Sequence, residues 1–256
     1  MTVEITRDGL RSTVVINRPD ALNALNADVI GSLRTAISDQ LVDDGVRVIV
    51  LSGAGDRAFC AGADLHELAS MDHEAADRWL HAGHELMTLL WHANKPVIAS
   101  VNGLALGGGC ELALAATLAV ACQEARFGLP EVRLGLVPGL GGTQRIIQSI
   151  GRHRGLRLLL TGDAVTADDA FSLGLLSMAP VPRSELAGTV DALVDRLLGA
   201  GREATASILE LAVVACRDNE AGLVAERRTS AAAIAGAEGA KGIEAFLTRT
   251  ARGSKP

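Results

Sequence analysis

The segment from Lys95 to Leu114, KPVIASVNGLALGGGCELAL, constrains the fold of this chain more than any other. An apolar run breaks at three consecutive glycines, Gly107 to Gly109, and resumes around one acid. From Val97 to Cys122 the only charged residue is Glu111. An apolar run of about 20 residues is long enough to cross a bilayer. Three glycines and a carboxylate near its middle argue against that, because an intramembrane acid is costly. The segment reads instead as a buried strand over 97–101, a glycine turn, and a buried helix from about 110. Glu111 then falls in the first helical turn, where unpaired backbone N–H groups favour negative charge.

The 256 residues are enough for one large domain or a domain with an appendage. Hydrophobic residues make up 48% but aromatics only 2%, with no tyrosine. The core must therefore be Ala, Leu, Val and Ile, which suits helices on parallel strands better than an all-β sandwich. A net charge of −6 gives no electrostatic footprint for nucleic acid. The N-terminus lacks a signal-peptide pattern, no membrane partner is expected, and the cytoplasm is the expected compartment. Cys60, Cys110, Cys122 and Cys216 show no C-x-x-C spacing, so neither zinc nor a disulfide framework is indicated.

Along the chain, residues 3–6 and 13–16 predict a hairpin about Asp8-Gly9. A loop over 21–26 leads to a helix over 27–42, capped by Asn26, with Val29, Ile30, Leu33, Ile37 and Leu41 on one face. Residues 46–51 predict a strand, 72–92 a helix and 117–121 another strand. Pro130 suits the first position of a short helix. Gly135 to Gly142 forms a second glycine-rich turn ahead of a helix starting at Thr143. Beyond Thr161 the chain reads as helices over about 166–173, 184–199, 202–217, 220–235 and 240–250. Strand–turn–helix units followed by a helical tail define an α/β class. The expected division is a core over 1–195 and a helical region over 196–256.

Several residues carry possible chemistry. Gly107 to Gly109 follow a strand and open a helix, so their N–H groups can meet an anion. No dinucleotide fingerprint or Walker lysine is in register. The turn can supply one oxyanion donor, and the segment Ala61-Gly62-Ala63-Asp64 another. The same glycines also suit close packing alone, and spacing does not separate the two readings. Glu111 and Glu131 each follow a strand-to-helix turn. If the fold unites them, their pKa values are pushed apart, leaving one acid to give a proton and one to take it. As the alternative, Glu131 is an ordinary acid at a helix start. His81 and His84 share a helix turn but lack a third ligand, so no metal site is expected. Cys110 reads as a buried filler.

These motifs, in this order, resemble the enoyl-CoA hydratases of the crotonase (enoyl-CoA hydratase/isomerase) superfamily. The resemblance rests on Asn17-Arg18-Pro19 with Asn23-Ala24-Leu25, on residues 59–65, on Lys95-Pro96 through Glu111, on residues 127–131 and on residues 138–145. It runs from Val14 to about Gly199 and returns near residues 242–247. It implies a crotonase-like (ClpP/crotonase) spiral of β-β-α units with two roughly perpendicular sheets. It also implies a C-terminal helical region that forms a homotrimer or a hexamer of two trimers.

By the same resemblance, the backbone N–H groups of Ala63 and Gly108 form an oxyanion hole for a thioester carbonyl. Glu111 and Glu131 hold one water and move its protons. Ala24, Ala61, Asp64 and Leu65 lie along the coenzyme A arm, Pro130 and Gly139 lie near the acyl group, and Leu22, Gly62, Leu106 and Gly107 are further substrate-binding positions. The implied partner is an acyl-CoA substrate, and no separate cofactor is implied. Two glutamates favour hydration over double-bond isomerisation, the alternative within this superfamily; a non-catalytic CoA-ester-binding protein is a further alternative. Two positions depart from the pattern. His66 stands where a lysine commonly reaches the coenzyme A phosphates, and Thr248-Arg249-Thr250 replaces a Lys-Arg pair, leaving Arg249 for that contact.

Overall fold

A computed structural model describes residues 2–215, 227–228, 230–232 and 234–251. The chain begins with the expected hairpin, β1 (Val3–Asp8) and β2 (Arg11–Ile16), turning at Gly9 with φ +55°. Helix α1 (Ala27–Val42) starts where Asn26 accepts a hydrogen bond from the Val29 N–H at 2.9 Å. Its face of Val29, Ile30, Leu33 and Ile37 is buried.

Three strand–strand–helix units follow. In the first, β3 (Val48–Gly53) and β4 (Ala58–Cys60) lead through α2 (Leu65–Leu68) to α3 (His73–Trp91). In the second, β5 (Val97–Val101) and β6 (Leu104–Leu106) lead to α4 (Gly108–Ala115). In the third, β7 (Leu118–Ala121) and β8 (Arg126–Gly128) lead through a 3-10 turn (Pro130–Leu134) to α5 (Gly142–Ile150). The first strand of each unit joins a sheet ordered β1-β2-β3-β5-β7, and the second joins one ordered β4-β6-β8-β9, where β9 is Val165–Thr166. Within each sheet these strands are parallel. Every residue of β5 is buried, as a strand covered on both faces requires.

The second sheet carries the main differences from the sequence reading. Strands β4, β6 and β8 have only three residues each, and β9 two. Such short strands show no alternation to detect, and their partners lie tens of residues away. Helix α6 (Arg152–Thr161) follows α5 after a break at Gly151, whose φ of +79° ends the first helix. Helices α7 (Ala167–Leu173), α8 (Arg183–Leu198) and α9 (Arg202–Ala215) match expectation within two residues where described. The segment expected to be helical over 220–235 falls largely outside the described residues. The last helix, α10 (Ala237–Ala251), packs on the 3-10 turn so closely that a Cβ at Gly242 would overlap the Leu134 carbonyl. The expected division after residue 195 falls inside α8.

Lys95, which opens the central segment, is buried. Its ammonium donates to the carbonyls of Gln40 at 2.9 Å and Asp43 at 2.7 Å, satisfying the C-terminal end of α1.

Candidate active site

The three glycines of the central segment play different parts. Gly107 has φ +51° and ψ −124°, a conformation open essentially to glycine alone. A Cβ there would also approach Glu131 Oε1 to 2.9 Å. Gly108 is the first residue of α4, so its N–H has no intrahelical acceptor. Gly109 admits no side chain because the Cys60 carbonyl would overlap it. The two readings of the glycine turn therefore hold together: Gly109 serves packing, and Gly108 presents an amide.

A second amide comes from the segment after β4. The loop around Leu22 and Asn23, both at positive φ, runs beside it. Leu22 and Leu25 carbonyls take the N–H groups of Ala61 and Asp64 at 3.0 and 2.8 Å, and Leu25 bridges to Ala63. The Asn23 side chain pins this loop through the Ala54 and Ala58 carbonyls. Among the described residues, no acceptor takes the N–H of Ala63. The two segments touch: a Cβ on Gly108 would lie 3.9 Å from the Ala63 nitrogen.

Both glutamates line the same cavity, of about 680 Å³. Glu111 is 1% exposed, and its Oε1 accepts the N–H groups of Leu140 and Gly142, each at 2.7 Å. Burial pushes its carboxyl up to about 7, against the opposing pull of those two amides and of the Arg145 charge. Glu131 sits in the 3-10 turn, and its buried Oε2 has no hydrogen-bond partner. Burial, and then the nearby Glu111 charge, raise its carboxyl well above the ordinary range. The pair is therefore asymmetric. One shared proton belongs on Glu131, because the Glu111 anion has two amide donors and the Arg145 charge, whereas the Glu131 anion has its own backbone N–H and the repulsion of Glu111.

Leu22, Ala61, Gly62, Ala63, Asp64, Leu65, Leu106, Gly107, Gly108, Pro130 and Gly139 all line this cavity, as expected. Ala24 does not. Its carbonyl accepts from Nη1 of Arg18, which does line the cavity, at 2.8 Å. Asp64 caps α2 through the His66 N–H and pairs with Arg18 at 3.0 Å. His66 lines the cavity and is exposed. Arg249 lies over the Phe246 ring, and Phe246 lines the cavity. Cys110 is buried, and burial raises the thiols of both Cys60 and Cys110, so neither is an activated nucleophile. No group of metal-ligating side chains occurs among the described residues, and no described helix is long and apolar enough to cross a membrane.

The sequence reading missed Arg18 as a lining residue, although it stands in the quoted Asn17-Arg18-Pro19 motif. It also missed the wall formed by Trp79, Leu80, Leu136, Val137, Ser230 and Ile234. Trp79 and Leu80 come from a helix whose sequence carries no motif. Ser230, which donates to the Val137 carbonyl at 2.6 Å, and Ile234 arrive from far along the chain.

A β-β-α spiral that gathers two unequal carboxyls and two adjacent amides on one apolar cavity is the framework of an acid–base enzyme. The enoyl-CoA hydratase/isomerase family model matches residues 12–252, and the chain belongs to this family. It is 39% identical over 196 residues to the short-chain-enoyl-CoA hydratase of Clostridium acetobutylicum, covering 77% of this chain and 75% of that one. It is 38% identical over 242 residues to the 2,3-dehydroadipyl-CoA hydratase of Escherichia coli, covering 92% and 91%. Among solved structures, a carnitinyl-CoA hydratase from Mycobacterium avium superposes with a TM-score of 0.85. That chain is 35% identical, with 97% of this chain and 96% of that one covered. The fold is the crotonase fold that the resemblance implied.

Proposed function

We propose that this protein is a 2-enoyl-CoA hydratase, adding water across the 2,3 double bond of an enoyl thioester to give the 3-hydroxyacyl-CoA. The observation that carries this reading is the asymmetric pair of glutamates on one cavity beside the Ala63 and Gly108 amides. The two N–H groups receive the thioester oxygen, whose negative charge grows as oxygen attacks C3. Losing one such donor typically costs ~10²–10³ in rate. Glu111 draws a proton from water as its oxygen bonds to C3, and Glu131 gives its proton to C2. Hydroxyl and hydrogen are thereby added to the substrate. The two carboxyls exchange protonation states, and one proton must return before the next turnover. The electrons displaced from the double bond rest on the thioester carbonyl, so the reaction calls for neither metal nor redox cofactor. Coenzyme A belongs to the substrate.

In this reading Leu22, Ala61, Gly62, Asp64, Leu65, Leu106 and Gly107 border the coenzyme A arm, and Ala24 meets it through Arg18, which lines the cavity and donates to the Ala24 carbonyl. Pro130 and Gly139 border the acyl group. Residues 1–195 form the spiral core and 196–256 a region for assembly into a trimer or a hexamer, in the cytoplasm. Assembly is supported by Ile208 and Leu211 of α9, 65% and 67% exposed in the single chain.

The test is loss of enoyl absorbance with crotonyl-CoA and longer enoyl-CoAs. Glu111→Gln and Glu131→Gln are each expected to lower kcat by ~10²–10⁴, the usual worth of a positioned acid or base. Full activity in Glu111→Gln would rule out the two-glutamate mechanism. Tight binding of CoA esters without turnover of any chain length would point to a binding protein instead.

A further inference from the structure

Glu111 is held by the segment Gly139–Gly142, and the way that segment is itself held singles out another residue. Its N–H groups at Leu140 and Gly142 end on Glu111 Oε1. Its carbonyls are held by other groups. The Leu140 carbonyl accepts from the Arg145 guanidinium, Nη1, at 3.0 Å, and the Gly141 carbonyl from the Arg145 backbone N–H at 2.9 Å. The imidazole of His84, from α3, faces the Gly139 backbone. Arg145 is 1% exposed, and its guanidinium lies over the Trp91 ring at 5.1 Å. It presses on Gly141, at φ +104°, where any side chain would collide with it.

We propose that Arg145 is a positioning residue for the reaction, its buried guanidinium anchoring the Leu140 carbonyl in the middle of segment 139–142, between the two peptide units whose N–H groups hold Glu111 Oε1. The inference rests on the hydratase reading above. A peptide unit is planar, so fixing its carbonyl fixes the N–H at its other end. The guanidinium fixes the Leu140–Gly141 unit, which lies between the two units that carry the Leu140 and Gly142 N–H groups, while the Gly141–Gly142 unit is held by the Arg145 backbone N–H, a bond that any residue at 145 keeps. The Leu140 N–H belongs to the unit whose carbonyl faces His84. The guanidinium adds a fixed positive charge that favours the Glu111 anion. Other titratable groups around Glu111 are Glu131 from the 3-10 turn and the thiols of Cys60 and Cys110. Around His84 stand Arg145, Arg227 and His81. Burial first, then the Arg145 charge, push His84 down to about 4, so it stays neutral at working pH and Arg145 supplies the charge.

The experiment compares Arg145→Met, Arg145→Lys and Trp91→Leu with wild type, following crotonyl-CoA hydration across pH. Arg145→Met is expected to lower kcat ~10–10²-fold, the scale set by small misplacements of a reacting group, with KM changed less than about threefold. The limb of the kcat profile set by the Glu111 base should move to higher pH, because removing the cation raises that carboxyl. Arg145→Lys, which restores the charge and one donor, should recover much of kcat and return the profile. Trp91→Leu, which removes only the ring beneath the guanidinium, should shift the profile the same way by less, and it supplies the answer if Arg145→Met does not fold. Wild-type kcat and pH profile in a folded Arg145→Met would overturn the proposal. So would a Trp91→Leu variant that lowers Tm while leaving both unchanged. A wild type that hydrates no enoyl-CoA would instead overturn the hydratase reading, and this role with it.

Discussion

The two active-site glutamates are costly to the fold. Each carboxyl is raised above its unfolded value by burial, so the folded protein binds protons more tightly than the unfolded chain. Their contribution to stability is greatest below the unfolded pKa, near pH 4.5, and is lost as pH rises through the folded pKa, about 7 for Glu111 and well above the ordinary carboxyl range for Glu131. Replacing Glu131, whose Oε2 makes no hydrogen bond, should therefore stabilise the protein while disabling it. Glu131→Gln is expected to raise Tm by a few °C at pH 8, about what 1 kcal/mol gives in a chain of this size. The gain should shrink towards pH 5. Thermal melts at the two pH values check this, and a Tm below wild type at pH 8 would refute it. His84 acts in the opposite sense. With its folded pKa pushed down to about 4, it costs stability as pH falls from 6.5 towards 4, and it drops out of the comparison at pH 8.

Among the elements, α4 decides where the chemistry sits. Its eight residues are nearly all buried, and its N-terminus lies against β4 at a distance only Gly109 allows. That contact brings the Gly108 amide to the Ala63 amide while keeping Glu111 one turn further on. Gly109→Ala should force the helix off Cys60 and separate the two amides. Overpacking of this kind costs roughly 1–3 kcal/mol, occasionally more. The expected result is a lower Tm with a loss of kcat of at least ~10² even in the folded fraction. A folded Gly109→Ala enzyme with normal kcat would show that the two amides do not act together. The same element shows what was legible beforehand. Glu111 was identifiable as a buried acid at a helix start, because its flanks offer nothing else polar. The role of each glycine was not, since 107, 108 and 109 are identical letters whose neighbours come from β4, Leu25 and Glu131.

On the scale of the whole molecule, the cavity is closed by residues from both ends of the chain. Arg18 and Leu22 meet Phe246 and Leu247 around it, and Ser230 and Ile234 form part of its wall. The late helices therefore complete the site. Ile208 and Leu211, three apart on α9, present an apolar face that a partner chain would cover. Ile208→Asp with Leu211→Asp should dissociate a trimer or hexamer into single chains, read by sedimentation at micromolar concentration. An unchanged sedimentation coefficient would remove α9 from the interface.

The amino-acid sequence by itself determined the first sheet, the α1 cap at Asn26, the buried setting of Glu111 and, through motif order, the family. These are local or periodic properties: a continuous apolar run, a side chain that caps its own helix, a string of residues in one register. Tertiary structure alone decided the second sheet, whose strands are too short to carry a period. It placed Glu131 beside Glu111 and gave only Glu111 a pair of amide donors. It also put Arg145 behind the segment that supplies those donors, and turned the Ala24 carbonyl towards Arg18. Each depends on groups tens of residues apart meeting within hydrogen-bond or van der Waals distance, which folding imposes and no local pattern records.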